Sequence, residues 1–426
     1  MKLLTAKYHL LVFGIFLIAA ILIRLWAIRS STGPDIAQFW AFATVFHNHG
    51  IDFYRYASVT DISFPFNWSF CYPPIWLLII GLCLLATPDS QATGLMVSTD
   101  WRIAIKIPII AADIAIGCLL FWAIPGSKIR RLVFSFLWLF HPAAWYNSAI
   151  FGQFDPITAA LILTSILLLE RGKDWQVFLV AGLAIMTKQH ALIPLALMVV
   201  AIAPYLDKRH LIKNILVAAG VVIIISLPFL VTGNLPEYIR SILFSAYKPD
   251  YQPLMYAFNG IGSLLTYFHD VFGWETKNLL FLNVPILIIA FYVAAVFIYV
   301  KRIMPLRAIL VGLCLFIALF YRINYQYLIL YMPIALLIAS RTPYLSERII
   351  TLGLTLVPAV WIWLYDVAFW FHRFGPVNHS VFPILDALGL DHFGTPDYAY
   401  VIVAMTLMVL SLVYVMGVFL RWRKPL

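Results

Sequence analysis

Apolar runs long enough, or nearly long enough, to cross a lipid bilayer recur from one end of this chain to the other, and that recurrence leaves few folds open. Inside hydrocarbon every backbone N–H and C=O must be satisfied by the protein itself, so such a chain is a bundle of helices or a closed barrel. A spanning helix needs roughly 20 apolar residues at about 1.5 Å rise each, with a range of about 17–25. The runs near 8–28, 102–124, 132–150, 156–170, 176–188, 190–205, 213–231, 279–300, 305–321, 326–340, 348–365 and 397–420 predict an all-α polytopic membrane protein with about 12 transmembrane helices. Composition agrees, at 63% hydrophobic and 11% charged residues, where a soluble chain has about 45–50% and about 25%. Soluble, disordered and collagen-like classes are excluded. Cys71, Cys83, Cys118 and Cys314 sit mostly inside apolar runs and offer no disulfide framework or zinc-ligand spacing.

The net charge of +10 would suggest nucleic acid in a soluble protein. Here membrane topology accounts for most of it. The apolar stretch 73–87 is short, opens with Pro73-Pro74 and has no basic flanks. If it does not span, the N-terminus, the connections 125–131, 171–175, 206–213, 301–307 and 341–348, and the C-terminus share one side and hold 18 of the 29 basic residues. Positive-inside asymmetry then makes that side cytoplasmic. The first run is read as a retained helix, because Arg24 and Arg29 follow it without a small-residue cleavage site. The whole chain, 1–426, reads as one integral-membrane domain. Three long segments face the other side: 29–101 with membrane-lying amphipathic helices, 232–278 and 366–396. Function is expected there, and no internal repeat of the transporter kind is evident.

Chemistry-bearing residues fall into three groups. Asp35 follows the first span at the start of a short amphipathic helix whose apolar side is Ile36, Phe39, Trp40 and Ala43. A helix N-terminus favours the carboxylate form, so Asp35 is expected to be ionised, either as a general base or merely as a cap of that helix. Lys106 and Asp113 lie seven residues apart on one face of the span 102–124, where charge is expensive, so they should line a cavity or pair with each other. With Arg102, Lys188 and Arg322, Lys106 makes a set of cations able to meet a phosphate at the membrane surface, each of which could instead simply snorkel. The turn Gly152-Gln153-Phe154-Asp155-Pro156 is the third group, with Asp155 open to a capping role. His141 is as readily a packing residue as a catalytic one. No Walker loop, dinucleotide fingerprint, HExxH or GxSxG motif occurs.

These residues together resemble a family. An acidic residue soon after the first span, Tyr72-Pro73-Pro74, the Lys106 to Asp113 helix, the Gly-Gln-Phe-Asp turn and the run Ala181-Gly182-Leu183-Ala184…Lys188-Gln189…Ala191-Leu192…Pro194 are similar to features of GT-C glycosyltransferases. Within that superfamily they resemble the polyprenyl-phosphate-sugar-dependent mannosyl- and glucosyltransferases, including the dolichyl-phosphate-glucose enzymes of the asparagine-linked glycan pathway and their prokaryotic relatives. The resemblance covers the first 200 or so residues and thins to Tyr325-Gln326-Tyr327-Leu328…Pro333 beyond them. It implies that Asp35 takes the catalytic acidic position and that Tyr72-Pro73-Pro74 opens a membrane-lying helix. Arg322-Ile323-Asn324 departs from the His-Glu-Lys-like stretch of the glucosyltransferases, which leaves mannose or glucose open. A second acidic residue is not visible beside Asp35, so metal-free catalysis is expected, with no cofactor beyond the donor.

The reading that follows is an inverting glycosyltransferase. It would move a hexose, mannose or glucose, from a polyprenyl-phosphate donor to a hydroxyl of a glycolipid or other glycan acceptor at the non-cytoplasmic face. Asp35 would be catalytic; Arg102, Lys106, Lys188 and Arg322 would bind the donor phosphate. Tyr72, Gln153, Asp155, Gln189, His190, Tyr325 and Gln326 would line the substrate cleft, with membrane lipids around the bundle and no nucleic-acid partner. A lipid-linked-sugar flippase or secondary transporter is the alternative, resting on the intramembrane charges. A prokaryotic plasma membrane is favoured over the endoplasmic reticulum, since the sequons Asn67-Trp68-Ser69 and Asn378-His379-Ser380 are too few to establish a eukaryotic lumen.

Overall fold

The protein is seen here as a computed structural model, which describes residues 2–29, 34–56, 69–93, 96–244, 251, 260–364 and 397–422. The outer segment 366–396 and both sequons lie outside these residues. Among the described residues the chain is all-α apart from one short antiparallel pairing of Ala92–Thr93 with Met96–Val97. It opens with α1 (Lys2–Ala27), α2 (Pro34–His49), the single turn α3 (Phe53–Tyr56), α4 (Pro74–Ala86) and α5 (Thr99–Ala123). Next come α6 (Lys128–Leu139), α7 (Pro142–Trp145), a π-helical turn (Tyr146–Phe151), α8 (Asp155–Glu170), α9 (Asp174–Thr187), α10 (Leu192–Ile202), α11 (Lys208–Leu230) and α12 (Leu235–Ile239). The rest is α13 (Gly260–Phe272), α14 (Lys277–Leu280), α15 (Asn283–Lys301), α16 (Pro305–Leu319), α17 (Leu328–Arg341), α18 (Leu345–Leu364) and α19 (Asp397–Leu420).

Among the described residues, five helical stretches are long and apolar enough to cross a membrane: Tyr8–Ala27, Thr99–Ala123, Lys208–Leu230, Lys277–Lys301 and Asp397–Leu420. About twelve spans were expected, and the remaining apolar runs form shorter helices or lie partly outside the described residues. The expected single span 132–150 is broken, because Pro142 has no N–H to continue α6 and the His141 ring, through Nδ1, caps α7 by accepting from Ala143 N at 3.2 Å. Others are short: α8 has 16 residues and α17 has 14, about 24 and 21 Å of helix against a hydrocarbon core of about 30 Å. These short helices are extended by tight turns, Gln189–Ala191 before α10 and Tyr325–Tyr327 before α17.

Burial separates the helices into a centre and a rim. Every residue of α17 is buried except Arg341 at its end, and α16 is buried almost throughout. By contrast α11 and α15 turn Ile223, Ile224 and Leu227, and Ile288, Ile289 and Tyr292, outward. An apolar rim of that kind suits contact with lipid, where it costs nothing.

The two ends of the bundle differ in chemistry. At one, Arg341 pairs with Glu170 and donates to the carbonyl of Ala123 at 2.9 Å, Arg130 donates to Ser340 O, and His210 meets Asp174 at 3.0 Å. Arg307 there grips Glu347 through Nε at 2.8 Å and Nη2 at 2.7 Å, and Trp422 reaches Ser346. The basic connections therefore gather at one end. At the other end the carbonyls of Ile28 and Arg29 are bound by Lys106 and Arg102 of α5, at 3.0 and 2.9 Å. The chain between α1 and α5 thus leaves and returns at the same end, and α4, with 13 residues or about 20 Å, lies within that segment.

Candidate active site

The helix α2 is held by its buried side. Ile36, Ala37, Phe39 and Ala43 pack with Phe53, Phe70, Trp76, Trp101 and Phe154 in a second, aromatic-rich core distinct from the main bundle. Phe39 meets Trp76 edge-on at 5.1 Å, and Trp76 stacks on Phe154 at 4.2 Å. Trp101 Nε1 donates to Ile36 O at 2.9 Å, and half-buried Trp40 donates to Ser90 Oγ at 3.0 Å. Helix α2 is therefore docked into protein on the side expected to meet a membrane surface, and its first turn, which carries Asp35, is fixed.

Asp35 accepts a hydrogen bond on Oδ2 from Gln153 Nε2. Burial pushes its carboxyl up to about 6; the Gln153 bond and the positive charges of Arg322 and Lys188 oppose that shift, and Asp155 adds to it. Burial, rather than the helix terminus, is the largest influence on this carboxyl.

Gln153 is delivered by an unusual turn. The carbonyl of Asn147 in the π-helical turn accepts from Gly152 N at 2.9 Å and from Gln153 N at 3.1 Å, while its amide Nδ2 donates back to Gln153 O at 3.2 Å. Gly152 sits at φ +73°, where a Cβ would lie 2.9 Å from Ile36 Cδ1, so only glycine fits both the backbone and the contact.

Two residues on, Asp155 forms an ion pair with Lys188 at 2.8 Å, both side chains buried. That bond, not capping of α8, is what Asp155 makes; no side-chain cap is present at that helix start. Lys188 lies 4.4 Å from the ring centre of Tyr327, 5.1 Å from Phe154 and 6.0 Å from Tyr72, an aromatic surround that favours a cation. Its neighbour Gln189 donates to the carbonyls of Cys71 and Ile242 at 2.8 and 3.0 Å. His190 packs against Phe316 and Tyr327, each 5.0 Å between ring centres. Tyr325 packs on Phe151 at 4.9 Å, and Gln326 is buried beside it. Asp35, Tyr72, Gln153, Asp155, Lys188, Gln189, His190 and Arg322 thus converge from five stretches of chain.

Arg102 and Asp113 stand apart from this convergence, and Lys106 touches it only through its stem, which lies against Gly152. Besides Arg29 O, Arg102 donates to Thr99 Oγ1 at 2.8 Å, and Lys106 is fully buried on Ile28 O. Lys106 and Asp113 do not pair, since seven residues of helix separate them by about 10 Å along the axis. Asp113 instead binds Arg24 of α1 at 2.7 Å and accepts from Ser148 Oγ at 2.5 Å. His141 is satisfied on both ring nitrogens, with Nε2 2.9 Å from Thr355 O. Asn147, Arg24 and Ser148 were not named as site or support residues, and Tyr327 was named only within the Tyr325-Gln326-Tyr327-Leu328 stretch. Arg24 carried a signal of its own, being an arginine inside the first apolar helix rather than after it. Among the described residues, no group of three or more His, Cys, Asp or Glu side chains is arranged to hold a metal ion.

Comparison with known families gives a match to glycosyltransferase family 87 over residues 70–320, more than half of the chain. No curated protein matches it. The match starts later and runs further than the motif resemblance suggested: it takes in Tyr72, Gln153, Asp155 and Lys188, and Asp35 lies before it, joined to it by the Gln153 bond. With five membrane-length apolar helices and an acid, an amide and a Lys–Asp pair assembled at one end, the chain belongs to glycosyltransferase family 87, within the GT-C membrane glycosyltransferases.

Proposed function

We propose that this glycosyltransferase is an inverting hexosyltransferase. It moves mannose or glucose from a polyprenyl-phosphate donor to a hydroxyl of a lipid-linked or other glycan, at the non-cytoplasmic face of a membrane crossed about twelve times. Asp35 takes the proton of the acceptor hydroxyl as its oxygen bonds to the anomeric carbon. The bond from that carbon to the phosphate oxygen breaks with its electron pair, and the lipid phosphate leaves. Cations that neutralise the departing phosphate make a general acid unnecessary. Lys188 and Arg322 serve here, whereas Arg102 binds Arg29 O and Thr99 Oγ1 and Lys106 binds Ile28 O. Tyr72, Gln189, His190, Tyr325 and Gln326 form the surrounding cleft.

The observation that carries this reading is the grouping built on one turn: Gln153 holds Asp35 while Asp155, two residues on, holds Lys188, with Lys188 and Arg322 near enough to act on the Asp35 carboxyl. A base and a phosphate counter-charge in one place is what transfer from a phosphate-linked sugar requires. The flippase alternative rested on Lys106 and Asp113, and the Arg24–Asp113 ion pair and the bond of Lys106 to Ile28 O speak for structural roles of these two residues. The test uses the purified protein in liposomes with radiolabelled polyprenyl-phosphate mannose and polyprenyl-phosphate glucose, and octyl mannoside as acceptor. A new glycoside from either donor supports the reading. Lipid-sugar movement without a new glycosidic bond would reject it.

A further inference from the structure

The turn from Gly152 to Asp155 touches both halves of the proposed chemistry. Gln153 grips Asp35 and Asp155 grips Lys188, two residues apart on one short piece of backbone. Taking Asp35 as the base, we infer that Gln153 is its positioning residue: the amide holds Oδ2, fixes the carboxylate rotamer and leaves Oδ1 to receive the acceptor proton.

Chemistry fixes the amide's orientation. An ionised carboxylate only accepts, so the NH2 of Gln153 must face it. Gln153 is 1% exposed, and its side-chain amide oxygen Oε1 makes no hydrogen bond to the described residues. A buried glutamine left to itself would sample several rotamers; this one is held from both sides of its backbone by Asn147. The preceding Gly152 packs on Ile36, the residue after Asp35, and a Cβ there would also lie 3.3 Å from Lys106 Cε. The following Phe154 stacks on Trp76 at 4.2 Å. Every neighbour of Gln153 is thus tied to α2, α4 or α5. The turn fixes the base against those helices and, through Asp155, sets its spacing from Lys188.

The bond also acts on the proton equilibrium. Charged and titratable groups that bear on Asp35 are Arg322 before the Tyr325–Tyr327 turn, Lys188 after α9, Asp155 at the start of α8, and Cys71 and Tyr72 before α4. Gln153 is the neutral partner among them. Its donated hydrogen bond favours the carboxylate, so removing it raises the pH at which Asp35 becomes a base.

The experiment is an infrared titration of full-length protein in liposomes, in which the protonated-carboxyl band of Asp35 is isolated by subtracting the Asp35→Asn spectrum. Single-turnover transfer from polyprenyl-phosphate mannose to octyl mannoside is followed against pH in parallel. Gln153→Leu should move the band midpoint and the acid limb of transfer upward together by about one to two pH units, the equivalent of one charge-assisted hydrogen bond. Donor KM should change little. Gln153→Glu keeps the side-chain size and makes a carboxyl pair with Asp35, so the band should split into two steps, one below and one above the unsubstituted midpoint, which loss of packing alone would not produce. Folded Gln153→Leu and Gln153→Glu proteins with an unmoved midpoint and acid limb would overturn the inference alone. Full transfer by Asp35→Asn would overturn the base assignment and this inference with it.

Discussion

The ammonium of Lys188 donates to Asp155 Oδ1 at 2.8 Å, with neither side chain more than 1% exposed. A cation assigned to an incoming phosphate therefore already holds a carboxylate partner. Removing either member alone strands a buried charge, whereas removing both strands none. Lys188→Met should lower the thermal midpoint in detergent and reduce transfer by about 10- to 150-fold, the worth of one charge-assisted phosphate contact. Lys188→Met with Asp155→Leu should recover the midpoint and leave transfer low. If the double variant transferred at the wild-type rate, Lys188 would have no part in phosphate binding.

Asp35→Asn keeps the size of the side chain and abolishes the base. Transfer should fall by about 10²- to 10⁴-fold with folding intact, while Asp89→Asn, at an exposed position in the same outer segment, should be silent. In the unsubstituted protein the carboxyl is raised to about 6 by burial. Because only the carboxylate accepts a proton, transfer should be near maximal above that value and decline as pH falls through it. A pH–rate profile with no acid limb between about 5 and 7 would contradict the assignment.

Arg24→Met leaves the buried Asp113 carboxyl without its ion-pair partner. A loss of about 3–5 kcal/mol is expected for a broken buried pair, read as a drop in denaturation midpoint in detergent. Arg55→Met, at an exposed arginine in the outer segment, is the comparison and should shift the midpoint little.

Membrane orientation can be read with thiol reagents on single-cysteine variants. Labels at positions 128, 173 and 209 should report one side and labels at 52 and 89 the other. Labelling of 52 and 128 from the same side would undo the paired-end arrangement in which α1 and α5 bracket a segment without net crossing.

Much of this was legible because lipid imposes simple rules on sequence. Apolar run length predicted an all-helical membrane protein, the clustering of basic connections predicted their gathering at one end, and the Gly-Gln-Phe-Asp turn stood out as chemistry. Run length failed where helices sit inside the bundle. There α8, α10 and α17 are packed largely among other helices, and short turns precede α10 and α17. The interruption at His141-Pro142 was likewise hidden in a run that remains apolar throughout.

Partner choice was beyond the sequence. Composition requires that Lys106 and Asp113 be satisfied somewhere, because an unpaired charge in hydrocarbon is costly. Which group satisfies them depends on how α1 lies against α5, a contact between residues 78 and 89 positions apart. Asp35 could be nominated from its place after the first helix, but its proton affinity could not, because the helix terminus favours one direction and burial the other. Local sequence fixes the first effect. Only the packing of α2 against α4, α5 and the Gln153 turn sets the second, since desolvation is a property of everything that surrounds the carboxylate.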